Sequence, residues 1–403
     1  MTQPCSLYLH IPFCRHRCAY CDFNTYAGQE EFLPAYVDAL CREIEFTARN
    51  APEKLSLHTV FFGGGTPSLL TPRQFESILK TISDHFTLSD PEITMEANPG
   101  TVSLTDLKDL RSLGINRISF GVQSANPFEL RMLERAHSYF DVINAVTWAR
   151  KVGFSNLNLD LIYGLPLQSL DDWSATVKLI LGLSPAHLSL YALTLEHGTP
   201  FGRWSARGLM PLPDPDLAAD MYEWASETLE AAGYWQYEIS NWARTKEESP
   251  PQSSFIFPPS YACLHNLQYW RGLPYLAVGA GAHGYINGYR YSNVLRIKTY
   301  IDRLTDSRFP TFDFPLTPVT VNQHKQSLQD DMGEFMMMGL RLTREGVSAE
   351  TFRERFGQEL EVVYGKEIED LIRLGLLAWQ SDRLRLTRRG RLLGNQAFVR
   401  FVE

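Results

Sequence analysis

No apolar run in the 403-residue sequence approaches the roughly 20 residues that cross a bilayer. The opening MTQPCSLYLHIPFC has neither the charged start nor the small-residue cleavage site of a secretory signal, so a cytoplasmic location is expected. A cationic excess is missing too. With 38 Lys+Arg against 46 Asp+Glu the net charge is -8, which argues against general attraction to nucleic acid or anionic membrane. Six cysteines are too few for a disulfide scaffold, and no internal repeat or long low-complexity tract is visible. What the chain does have is 44% hydrophobic and 12% aromatic residues, enough for a sizeable core, and a length that suggests two or three domains.

Short β-branched and aromatic runs alternate with amphipathic stretches of helical period, the pattern of parallel βα units. The candidate strands are SLYLHIP, HTVFFGG, EITMEAN, RISFGVQ, NLNLDLIYG and HLSLYAL. Helices are expected at about 30–49, 72–85, 103–113, 139–152 and 170–181, several opened by Ser, Thr or Asp caps. Six such units predict an α/β fold, a partial parallel (β/α)6 barrel. The distinctive residues then fall at the C-terminal strand ends, where barrels of this kind build active sites. Strand one runs into Cys14, strand two into Gly63-Gly64-Gly65-Thr66-Pro67, strand three into Glu96-Ala97-Asn98-Pro99, strand four into Gly121-Val122-Gln123-Ser124, and strand five carries Asp160 and Gly164.

Three of the six cysteines, Cys14, Cys18 and Cys21, fall within eight positions. Thiolates are soft ligands, and this spacing on one loop suits three corners of an iron–sulfur cube, leaving one iron open to the amino and carboxylate groups of a small molecule. The competing reading is a structural zinc site with His10 or His16 as fourth ligand, although zinc usually draws Cys-x-x-Cys pairs from two loops. Cys5, Cys41 and Cys263 read as small hydrophobes. The glycine run is either a tight turn or a place where backbone approaches a ligand. Glu96, Gln123, Arg135 and Asp160 are polar groups at the expected barrel mouth, or singly solvated surface residues. Gly279-Ala280-Gly281-Ala282-His283-Gly284 matches GxGxxG after a strand-like LPYLAV, but no helix pattern or acidic partner follows, so dinucleotide binding is rejected.

The cysteine spacing with Tyr20 inside it, after a strand, resembles the radical-SAM superfamily. HIPFCRHRCAYCDF, FFGGGTPSLL, EANPGT, GVQS, LDLIYGLP, YEISNWA, CLHNLQYW and GLRLTREGV together resemble one family across nearly the whole chain, that of oxygen-independent coproporphyrinogen III oxidases and HemW-type heme chaperones. The resemblance implies a 4Fe-4S cluster on Cys14, Cys18 and Cys21. It implies S-adenosyl-L-methionine (SAM) among Tyr8, Tyr20, Gly64, Gly65, Thr66, Glu96, Gln123, Arg135, Asp160 and Gly281, some of which line a second SAM position in the oxidase. The oxidase pattern has a fourth cysteine two residues after the third, where this chain has Phe23, and a longer N-terminal extension. Both departures favour the chaperone branch, with the oxidase, which decarboxylates coproporphyrinogen III to protoporphyrinogen IX, as the alternative.

The element His265-Asn266-Leu267-Gln268-Tyr269-Trp270 matches the heme-associated pattern of that branch. An imidazole ligates heme iron well, and Tyr269 and Trp270 offer flat apolar surface; a hydrogen-bonded core histidine among filling aromatics is the alternative. Asn266 belongs to the same element, and Cys263 is a further candidate for a thiol contact. The branch implies heme, a heme-acceptor protein such as a respiratory enzyme, and a homodimer coupled to cluster occupancy. Three segments are expected: residues 1–235 as barrel core, 236–325 as an extension with a Pro/Ser-rich insertion at about 245–260, and 326–403 as a smaller helical, winged-helix-like domain. The insertion reads as a mobile cover or a tolerated surface excursion without catalytic groups. Arg383, Arg385, Arg388, Arg389 and Arg391 form a local basic run, read as a solvated or protein-docking face, with a nucleic-acid-binding wing as the competing reading.

Overall fold

A computed structural model describes residues 5–246, 258–305 and 312–402. Residues 247–257 of the expected insertion therefore lie outside the described residues. The chain divides into two compact units, Met1–Ala225 with Pro274–His324, and Ser226–Leu273 with Lys325–Glu403. The expected 236–325 extension is thus not a segment of its own, because its two halves pack into different units. No helix among the described residues is long and apolar enough to cross a membrane.

The first unit alternates β1 (Cys5–Ile11), α1 (Leu33–Asn50), β2 (Ser56–Gly64), α2 (Pro72–His85), β3 (Thr87–Ala97), α3 (Leu104–Ser112), β4 (Arg117–Gln123), α4 (Tyr139–Lys151), β5 (Asn156–Tyr163), α5 (Leu170–Gly182) and β6 (His187–Ala192). The six strands lie side by side in sequence order and all run parallel. On the other flank of β1 lie parallel β7 (Tyr275–Val278), antiparallel β8 (His283–Ile286) and β9 (Tyr289–Asn293), and then β10 (Thr320–Lys325). The expected partial (β/α)6 barrel is present. Helices α2 to α5 start at Thr71, Ser103, Ser138 and Ser169, whose hydroxyls accept from the third helical amide while Gln74, Asp106, Asp141 and Asp172 answer to the cap amide.

Strand period and register explain where polar groups go. Successive side chains alternate between faces, and one face carries Leu7, Leu9, Val60, Phe62, Ile93, Met95, Ile118, Phe120, Leu157, Leu159, Leu188 and Leu190, all buried apolar. The other face aligns Ser6 with Thr59, Thr59 with Glu92, Thr94 with Arg117, Glu96 with Ser119, Ser119 with Asn158, and Asn158 with His187. The strands thus have one oily face and one polar face. The polar groups satisfy one another: Ser6 and Thr59 hydroxyls lie 2.5 Å apart, and Asn158 Nδ2 donates to the hydroxyls of Ser119 at 2.7 Å and Ser189 at 2.9 Å.

In the second unit, helix Leu328–Gly339 and the helices after it bury Met332, Met336, Leu340, Phe352, Ile368 and Leu371 against a three-stranded sheet of Val347–Ser348, Arg383–Leu386 and Leu377–Gln380. The last two strands pair antiparallel, Leu377 opposite Leu386 and Gln380 opposite Arg383.

Candidate functional site

Strand β1 ends at Ile11, and the chain turns through Phe13–Cys14, which pairs in parallel with Tyr26–Ala27. This short pairing closes the cysteine loop at its base, helped by Tyr26 N–H donating to Pro12 O at 2.7 Å. Within the loop Cys21 N–H donates to Cys18 O at 3.1 Å, a tight turn. All three cysteines are free, with Cys14 buried and Cys18 and Cys21 half-buried.

The glycine run is built around them. Gly65 N–H and Thr66 N–H donate to Ile11 O and Phe13 O, and the Thr66 hydroxyl reaches Cys14 Sγ at 3.6 Å. A Cβ on Gly65 would stand 2.5 Å from Phe13 O and 3.0 Å from Cys14 Sγ, so the loop requires hydrogen there. Gly64, at φ +110, lies against the His10 ring. Its Nε2–H donates to Asn24 O at 2.9 Å, its Nδ1 lies 3.0 Å from Tyr8 OH, and burial lowers its pKa.

On the opposite side of the loop the Arg135 guanidinium spans Cys18 Sγ at 3.6 Å and Gly121 O at 2.6 Å, with its Nε buried and unpaired. A buried cation beside neutral thiols is costly. Beside thiolates of an anionic cluster it is compensated. Among the described residues no three His, Cys, Asp or Glu side chains converge as ligands of a single ion; a cube whose irons are held by separate thiolates does not need that convergence. Free thiols, a side-chain-free cradle and a neighbouring cation all fit such a cluster.

Above the cysteines, Glu96 at the end of β3 accepts from Gly64 N–H at 3.1 Å; burial, with Asp160 adding repulsion, raises its carboxyl to about 7. Asp160 is raised as well by burial, while its two oxygens accept from Ser119 and Asn158, each at 2.7 Å. Gln123 takes φ +68, an uncommon backbone region for a residue with a side chain, and its amide lies near Gly121. Tyr20 stands beside Arg135, and burial raises its phenol pKa. Gly281, at φ +80, leaves room for Asn24, whose Nδ2 donates to Ala280 O at 3.0 Å and Leu295 O at 3.1 Å. The glycine-rich 279–284 segment is therefore the latch of the cysteine loop, and it is followed by β8 and β9 rather than a nucleotide-binding helix.

Sequence reasoning missed several groups. Asn24 is one. Another is Glu43, fully buried in α1, whose oxygens accept from Gly279 N–H at 2.8 Å, Asn293 Nδ2 at 2.7 Å and Tyr300 OH at 2.5 Å, and whose carboxyl burial pushes up to about 7. Arg117, Asn158 and His187, all buried on the polar strand face, are the rest. The available signal was the strict alternation in NLNLDL, RISFGVQ and HLSLYA.

In the second unit, His265 lies in helix Leu264–Trp270 and is 1% exposed. Its Nε2 is 2.8 Å from Tyr269 OH, the two rings meeting edge to face. Trp270 lies under the Arg341 guanidinium at 4.3 Å, Asn266 is half-buried, and Cys263 is buried with its N–H donating to Tyr237 OH at 3.2 Å. Iron ligation through Nε2 requires displacing the Tyr269 hydroxyl.

Residues 8–180 match the radical SAM superfamily and 326–393 the HemN C-terminal domain. The chain is similar to the heme chaperone HemW of Bacillus subtilis, 37% identical over 98% of this chain and 99% of that protein. It is 35% identical to that of Escherichia coli over 99% of this chain and 98% of the relative. Among solved structures, the E. coli coproporphyrinogen III oxidase HemN covers 99% of this chain and 90% of its own with a TM-score of 0.82 and 24% identity, a likeness of fold. With full-length identity of this order, the chain belongs to the HemW heme-chaperone family within the radical SAM superfamily.

Proposed function

We propose that this protein is a heme chaperone that carries a 4Fe-4S cluster on Cys14, Cys18 and Cys21, holds SAM at the polar mouth of the barrel, binds heme, and delivers it to an acceptor protein such as a respiratory enzyme. The observation that carries the reading is the end-to-end similarity to curated heme chaperones. Phe23 agrees with it, since the residue at the oxidase's fourth-cysteine position is an exposed phenyl ring, 63% accessible. The proposed setting is the cytoplasm, and the proposed active form a homodimer.

The cluster, when bound, supplies an open iron for the amino and carboxylate groups of SAM. The chain's own residues do the rest. Thr66 and Arg135 donate toward the sulfurs of Cys14 and Cys18 and stabilise their anionic form. Glu96, fixed by Gly64 N–H, presents a carboxylate to an ammonium or ribose hydroxyl; Tyr8, Tyr20, Gln123, Asp160 and Gly281 complete the proposed pocket. Near neutral pH Glu96 is divided between its two protonation states, and a bound cation draws it to the ionised one. For heme we propose the element of His265, Asn266, Tyr269 and Trp270, opened by release of Tyr269 from the imidazole.

The deciding experiment is an anaerobic hemin titration of cluster-reconstituted protein, wild type beside His265→Ala. A saturable Soret band at one heme per chain, weakened in the variant, supports the reading and its site. A band unchanged in the variant moves the ligand elsewhere. No saturable band, together with protoporphyrinogen formed from coproporphyrinogen at the expense of SAM, replaces the chaperone by the oxidase.

A further inference from the structure

The second unit contains a cavity of about 390 Å³ whose wall carries Arg344, Arg385, Arg388 and Arg391 against one carboxylate, Glu230. Among the described residues Arg388 pairs with the exposed Glu227. The others are held by neutral acceptors: Arg391 Nη1 donates to Gln236 Oε1 at 2.8 Å, Arg344 Nε to Gln236 O at 3.1 Å, and Arg385 Nη1 to Gln380 Oε1 at 2.5 Å. The Nε atoms of Arg385 and Arg391 are buried without any hydrogen-bond partner. Burial lowers the pKa of both Arg344 and Arg385; at Arg344 the Glu230 carboxylate opposes the shift while the charges of Arg391 and Arg385 add to it, and at Arg385 the neighbouring Arg383 adds to it and Asp382 opposes it. Guanidinium groups gathered in a concavity with unused donors lack an anion to complete them.

The basic run does not form a track for a nucleic-acid backbone. Arg383 Nη1 donates to Glu345 O at 3.1 Å and Arg389 Nη1 to Leu374 O at 3.2 Å, while Arg388 turns to Glu227. Phosphate tracking requires cations side by side on an open face; here Arg385 and Arg391 converge on a hollow. Its volume exceeds what one tetrahedral anion fills and lies in the range of small-molecule pockets, roughly 300 Å³ and above.

We propose that this cavity binds a small polyvalent oxyanion, two linked phosphate or carboxylate groups, through the guanidinium groups of Arg344, Arg385 and Arg391 that line it. The site is separate from the cluster and heme sites and stands or falls independently of them. Arg344 lies 4.3 Å over the ring of Trp235, so occupancy is also expected to alter tryptophan emission.

The test is calorimetric titration of the full chain with pyrophosphate and, in parallel, succinate, with tryptophan emission followed alongside. Saturable binding of either probe near one per chain, weakened at least tenfold in Arg385→Gln and Arg391→Gln and partly restored in Arg391→Lys, supports the site; which probe binds tighter tells phosphate from carboxylate. Arg373→Gln, an exposed position paired with Asp370 outside the cavity, is expected to bind like wild type. Circular dichroism and thermal midpoints verify that the variants fold. No saturable binding of either probe by folded wild type overturns the proposal, as does affinity unchanged in both cavity variants. Salt-sensitive retention of duplex DNA lost in the same variants, without probe binding, overturns it in favour of a nucleic-acid surface.

Discussion

The cysteine loop and the His265 element are both singled out by sequence, yet they are built in opposite ways. Around Cys14, Cys18 and Cys21 the chain has removed side chains, supplied a cation and left the thiols free. Around His265 it has filled the space, and the imidazole Nε2 is occupied by the hydroxyl four residues on. The first region is open for its ligand as it stands; the second must give up an internal hydrogen bond to receive one. A cofactor held throughout the protein's life suits the first arrangement, and a cargo taken up and released suits the second.

Breaking the first region has the largest expected effect. Serine at Cys14, Cys18 or Cys21 abolishes retention of iron and sulfide after anaerobic reconstitution, whereas Cys41→Ser leaves both unchanged; metal and sulfide analysis reads the outcome. The scaffold behind the loop sets a pH dependence. The folded-state pKa of Glu43, about 7, exceeds its ordinary 4.5, so the folded chain holds a proton that the unfolded chain has lost. The contribution of this group to stability is thus fully present below pH 4.5 and is lost as pH rises through 7, about 3 kcal/mol in all. Denaturant titrations at several pH values should show that slope, and Glu43→Gln should flatten it. Gly65→Ala forces a methyl against Phe13 O and Cys14 Sγ and is expected to cost about 1–3 kcal/mol and lower cluster occupancy, while Gly182→Ala, with open space around it, is not destabilising.

The second region gives the smallest and sharpest effect. Tyr269→Phe removes the hydroxyl that engages His265. If the imidazole binds iron through Nε2, hemin affinity rises by about fivefold, the worth of one net hydrogen bond of about 1 kcal/mol. An equal or lower affinity in that variant removes Nε2 from the ligand set.

The order of elements and the strand ends were readable because period and caps are local signals: SLYLHIP, HTVFFGG and their successors alternate by two, and Ser103 or Ser138 announces a helix. The division into units was not readable. Residues 226–273 join the C-terminal segment through contacts of high sequence separation, such as Thr343 Oγ1 donating to Gln236 O at 2.9 Å, which no local pattern encodes. At the site, the cysteines and Gly64–Thr66 announce themselves by spacing, but Asn24 and Glu43 do not. The first of the two glutamates in ALCREIEF, Glu43, looks like a solvated helix position until the fold brings Gly279, Asn293 and Tyr300 to it. Arg135 was legible as a polar group at the barrel mouth but not as the neighbour of Cys18, since 117 residues separate the two.

That neighbour has a consequence for assembly. With Gly121 O on one arm and Cys18 on the other, Arg135 anchors the loop to β4 before any iron arrives, and the strand pairing at Phe13–Cys14 fixes its base. Much of the ordering entropy of the three thiols is then lost during folding rather than at loading. An incoming anionic cluster meets a preorganised, positively charged seat, so loading is expected to be fast and to need little refolding of the protein around it.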